Sequence, residues 1–78
     1  MTETAEKIMA LFKSHHKVQP GMVLTVTELH IKAREWGHGH FENLDAAMEE
    51  LRKEGHVIVT PPHGLELTEG GYSFLLGE

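Results

Sequence analysis

Apolar side chains recur over residues 4–17 at Ala5, Ile8, Met9 and Phe12, with Glu6, Lys7 and Lys13 between them. That spacing follows the helical period and predicts an amphipathic helix with one face on a core. The proline and glycine of "QPGM" end it and turn the chain. "MVLT" (22–25) is short and apolar, enough for a small strand. Thr25 and Glu28 then stand three apart, the spacing of a capping box, so a second helix is expected from Val26. Its stripe is Val26, Leu29, Ala33 and Trp36, and Gly37 supplies its stop. "GHGH" (37–40) reads as a turn. Residues 41–54 repeat the helical pattern through Leu44, Ala47, Met48 and Leu51, with Gly55 placed for a left-handed cap.

Beyond Gly55 the period changes. "HVIVT" is β-branched and "LEL" alternates, and "PPHG" between them suits a four-residue hairpin loop, since proline cannot donate to a ladder. In the last segment, "TEGGYSFLLGE", Thr68 can cap a short helix, yet Gly70 and Gly71 weaken it and an extended tail is the alternative. There is no internal repeat, low-complexity tract or linker. The pattern predicts one α+β domain over residues 1–78, with its core in about 5–70 and a tail at 71–78.

Composition narrows this little, but charge matters. With 78 residues, 40% hydrophobic and 24% charged, the chain is near the lower limit for a single core without staples. It has no cysteine, so it offers neither a disulfide framework nor a thiolate metal site, and an oxidising compartment is not indicated. Apolar runs such as 8–12 and 74–76 are far too short for a bilayer, and "MTETAEK" is acidic where a secretion signal is basic. A cytoplasmic location is the default. Twelve carboxylates against seven lysines and arginines give a formal −5, which opposes non-specific attraction to DNA or anionic lipid. Seven histidines make that balance pH-sensitive.

Three local signatures, "LTVTEL" (24–29), "LDAAMEELRKEGHV" (44–57) and "LELTEGG" (65–71), come in an order that resembles the winged helix-turn-helix family of DNA-binding domains. The resemblance covers roughly residues 5–70. It departs in "HIKAREWGHGHFEN", which holds some three residues more than the compact family turn needs, so the second helix is longer or the turn looser.

The resemblance implies a third helix entering the major groove by its N-terminal half, with the hairpin as a wing beside it. On this chain the base-reading candidates are then His38, His40, Asn43 and Ala46. Asn43 leads them, because a carboxamide can pair with both edge groups of adenine. Lys32 and Arg34 are the phosphate candidates, and His63 falls at the wing tip.

Electrostatics pulls the other way. Residues 38–54 set Glu42, Asp45, Glu49, Glu50 and Glu54 against Arg52 and Lys53, a net −3 on the segment that would meet phosphates. The distribution also suits the helix dipole, with acids early and cations late. The wing, "HVIVTPPHGLEL", brings no lysine or arginine. Since DNA affinity rises mainly through cationic phosphate contacts, autonomous binding is expected to be weak.

His38-x-His40 places two imidazoles in a glycine turn, with His15, His16 or Glu42 available to complete a metal site. No cysteine, HExxH or paired helical spacing supports one, and solvated turn histidines are the simpler reading. No metal, cofactor or enzymatic activity is expected, for no nucleophile motif or phosphate-cradling loop is present. Trp36, Tyr72, Phe74, Leu75 and Leu76 are many large apolar groups for so small a domain. They either complete the core or form a protein interface.

Two functions are therefore carried forward. The first is transcription-regulator-like binding of double-stranded DNA, with a homodimer through the C-terminal segment and tighter binding in mild acid as variants. The second is a protein-protein interaction module on the same fold, presenting Trp36, Tyr72, Phe74 and Leu75. Neither involves a membrane or a small-molecule substrate.

Overall fold

The computed structural model describes residues 1–15, 17–60 and 64–77. Helix α1 (Glu3–Ser14) is followed by strand β1 (Val23–Thr25), helix α2 (Val26–Trp36), a short helix α3 (His38–Glu42), helix α4 (Leu44–Lys53), strands β2 (Val57–Thr60) and β3 (Gly64–Leu67), and helix α5 (Glu69–Leu75). The α+β class and the run of helix, strand, helices and hairpin follow the hydrophobic pattern.

Local chemistry accounts for most boundaries. The Thr2 hydroxyl accepts from the Ala5 amide and starts α1, and the Thr25 hydroxyl accepts from the Glu28 amide at 3.1 Å and starts α2. At the end of α4, the Gly55 amide donates to the Arg52 carbonyl and the His56 amide to the Leu51 carbonyl, with Gly55 at φ +81°. This is the two-bond closure in which a left-handed residue satisfies the last carbonyls, and glycine takes that conformation at least cost.

β3 lies at the centre of a three-stranded antiparallel sheet, order β1-β3-β2. Leu24 stands opposite Leu65, and Val57 opposite Leu67. These four residues turn inward to meet Ala5, Ile8, Met9 and Phe12 of α1, Leu29 and Ala33 of α2, and Leu44, Ala47 and Leu51 of α4. The other face of the sheet carries the row Val23, Glu66 and Ile58.

Three expectations need correction. "GHGH" is not a turn, because residues 38–42 coil as α3. Gly37, at φ +128°, breaks α2, and its carbonyl accepts from the amides of both His40 and Phe41 at 3.1 Å. The surplus residues in this connection are thus absorbed as helix. The third helix does not run unbroken from residue 41, since Asn43 interrupts it at φ −88°, ψ 1° and α4 begins at Leu44. Gly64, finally, belongs to β3 and not to the loop. A Cβ there would stand 2.7 Å from Val23 Cγ1, so glycine lets β1 approach.

Of the alternatives for the tail, the helix is the one adopted. The Thr68 hydroxyl accepts from the Gly71 amide at 2.9 Å and donates to the Gly55 carbonyl at 2.6 Å. One side chain thus caps α5 and ties it to the turn after α4.

Candidate nucleic-acid interface

The outward side of α4 is the surface to examine, because its inward side is spent on Leu44, Ala47 and Leu51. Asn43, Asp45, Ala46, Glu49, Arg52 and Lys53 are all exposed along it. Asn43 is the residue before the first turn, yet its side chain makes no capping hydrogen bond. Its carboxamide is left for other partners. Ala46, one turn further on, is small and covered by nothing larger, so a surface can approach α4 closely here.

The charges on this segment are sorted by direction. Glu50 turns back to α1, where its carboxylate accepts from the Thr2 hydroxyl at 2.8 Å and from the Thr2 amide at 3.1 Å. These bonds hold the Glu50 carboxyl below the usual glutamate range. Glu42 pairs with His38 at 2.9 Å on α3, and Glu54 lies 3.4 Å from His56 Nε2 beyond the other end. Glu49 is gripped by Arg52, whose Nε donates at 3.0 Å while a second guanidinium nitrogen reaches the other oxygen. That fork lowers the Glu49 carboxyl and raises the Arg52 guanidinium. On the outward strip, Asp45 and Glu49 balance Arg52 and Lys53. The net −3 of the segment is carried by Glu42, exposed next to Asn43 in the chain and paired with His38, by Glu50, which faces α1, and by Glu54 beyond Lys53.

The other site candidates divide. His38 is exposed at the start of α3, where it pairs with Glu42. His40 is half-buried: it holds the Thr4 hydroxyl through Nδ1 at 2.9 Å and meets Trp36 edge-on at 6.4 Å between ring centroids. The two imidazoles therefore diverge, and among the described residues no three His, Asp, Glu or Cys side chains gather as a metal-binding group. Lys32 and Arg34 lie two residues apart on α2, roughly 200° around the helix, so they do not act together. Lys32 faces α1 and reaches Glu35 at 4.0 Å, whereas the Arg34 guanidinium sits 5.2 Å from the Phe41 ring centroid. His63 lies outside the described residues.

The apolar candidates mostly complete the core. Leu75 is buried, while Trp36 and Tyr72 pack half-buried against the central cluster, so Leu75 in particular is withdrawn from any interface. Phe74 remains 43% exposed and stacks on His56 at 4.6 Å. Leu76 is 58% exposed, and Val23, Ile58 and Val59, which the sequence does not single out, are about half exposed along the two sheet edges. Strict alternation in β1 and β2 would have flagged Val23 and Ile58.

No helix is long and apolar enough to cross a membrane, among the described residues. Compared with protein-family models, with curated proteins and with solved structures, the chain matches none.

Proposed function

We propose that the chain is a winged-helix-type DNA-binding domain of the transcription-regulator kind, with α4 as its reading helix and the β2–β3 hairpin as its wing. One observation carries the reading. Asn43 is exposed at the N-terminal end of α4 with its carboxamide uncommitted, ahead of the small exposed Ala46. An asparagine so placed can donate to and accept from the major-groove edge of adenine. The turning of Glu50 toward Thr2 supports it, because it takes one carboxylate off the outward side of α4. Arg52 and Lys53 are the exposed cations of α4 itself, and Arg34 lies over Phe41 of α3.

So few cations mean weak affinity. With about three phosphate contacts, the logarithm of the binding constant should fall with the logarithm of salt at a slope near −3. The test is a titration of a duplex selected from a random pool, at low salt, with the wild type and Asn43→Ala. The variant should lose roughly 1–3 kcal/mol on the selected duplex and little on random DNA. A wild type that selects no sequence from the pool sinks the proposal.

A second reading, a protein-interaction module without autonomous DNA binding, is favoured by Val23, Ile58 and Val59. Apolar surface on a strand edge suits addition of a partner strand. A partner obtained by crosslinking should then protect the β2 amides from exchange. Protection confined to α4 counts against it.

A further inference from the structure

A groove of about 250 Å³, open to solvent, lies between α1 and α2, lined by Lys7, Ala10, Leu11, Ser14, Lys32 and Trp36. On α1 these residues follow the i, i+3, i+4, i+7 spacing of one helical face, beside the stripe that enters the core. On α2 they are one turn apart. Ala10, Leu11 and the Trp36 indole supply an apolar floor. Two lysines stand over it, in a chain whose formal charge is −5.

Neither ammonium is firmly neutralised. Lys7 Nζ lies 5.8 Å from the Trp36 ring centroid and, among the described residues, within 4.0 Å of no carboxylate. Lys32 reaches Glu35 only at 4.0 Å, with both side chains about half exposed. Such a pair is readily given up for a better-placed anion. The Ser14 hydroxyl, at one end of the groove, donates to the Leu11 carbonyl at 2.7 Å. Two like charges over one apolar floor are complementary to an anionic head on an apolar body. The volume falls below the roughly 300–1,000 Å³ of sites for drug-sized molecules, so the occupant is small.

We propose that this groove binds a medium-chain aliphatic carboxylate, its head between Lys7 and Lys32 and its chain on Leu11 and Trp36. The site is separate from the outward strip of α4, and its test involves no DNA. Trp36 is the chain's single tryptophan, so its emission is a single reporter that lines the groove, and the amide shifts localise the response. Octanoate titrated into the full chain should shift that emission saturably, and amide shifts should concentrate at residues 7–14 and 32–36. Octan-1-ol, with the same chain and no charge, should not reproduce the saturable shift. The double variant Lys7→Met, Lys32→Met should bind octanoate about tenfold more weakly or worse, while Lys17→Met, on an exposed residue outside the groove, should bind as the wild type does. The inference is overturned by an unsaturating response to octanoate, by an equal response to the alcohol, by full affinity in the double variant, or by shifts centred elsewhere.

Discussion

Glu50 of α4 holds Thr2 at the start of α1 by accepting from both its hydroxyl and its amide, across 48 positions of sequence. The same hydroxyl accepts from the Ala5 amide, so one threonine caps α1 and docks it on α4. Because these bonds favour the charged carboxylate, Glu50 has a lower pKa folded than unfolded. Its contribution to stability is present above the ordinary glutamate value, near pH 4.5, and is lost as the pH falls through the lower folded value. Urea midpoints should fall below that pH in the wild type and fall less steeply in Glu50→Gln. Parallel pH profiles in the two proteins would show that the contact does not couple to folding.

Gly71 sets how closely α5 approaches the turn after α4. A Cβ there would meet the His56 carbonyl oxygen at 2.1 Å and Leu67 Cδ1 at 2.8 Å, and the first of these is backbone that cannot swing aside. Gly71→Ala should therefore destabilise the domain by about 1–3 kcal/mol through overpacking. The neighbouring Gly70 is exposed, and its Cβ would come no closer than 3.4 Å to the Gly55 carbonyl oxygen. Gly70→Ala should change stability little, or raise it by up to about 1 kcal/mol through helix propensity. Thermal unfolding of the two variants side by side checks the contrast, and equal losses would place the tight contact elsewhere.

What was legible in the sequence was local. Thr25 with Glu28, and Gly55 after α4, announce their helix boundaries because cap and capped group lie within a few residues. Residues 38–42 are illegible as helix for the opposite reason. Gly37 and Gly39 disfavour a helix locally, and the Thr4 to His40 hydrogen bond that supports it joins residues 36 apart. The charges of α4 could be counted but not aimed, since a rotation of one residue decides whether Glu50 meets Thr2 or water. The groove between α1 and α2 was invisible until the two helices were packed. Lys32 and Arg34 are both candidate phosphate contacts in the sequence, and the helix sends them to different neighbours.

His40 was a base-reading candidate, and its contacts give it a different role. Thr4 is 2% exposed, and its hydroxyl has His40 Nδ1 as partner. Removing the imidazole leaves that hydroxyl short of a partner and takes away the edge-on contact with Trp36. His40→Ala should lower stability by about 1–2 kcal/mol. DNA affinity per folded molecule should be unchanged, whereas His38→Ala should leave stability unchanged. Denaturant titration together with DNA titration separates the two, and weaker DNA binding by a fully folded His40→Ala returns His40 to the reading surface.

Asp45 offers the sharpest electrostatic test of α4 as a reading helix. Glu49 is already balanced by Arg52, but Asp45, in the first turn, has no cation within 4.0 Å among the described residues. If α4 enters the major groove by this end, the Asp45 carboxylate stands near phosphates and repels them, unless it accepts from the amino group of a cytosine. Asp45→Asn should then tighten binding to random and selected duplexes alike, by a factor that shrinks as salt is added. A helix that faces away from DNA would show no change. Binding that weakens on the selected duplex alone would assign Asp45 to a base, which keeps α4 in the groove but gives its N-terminal acid a reading role.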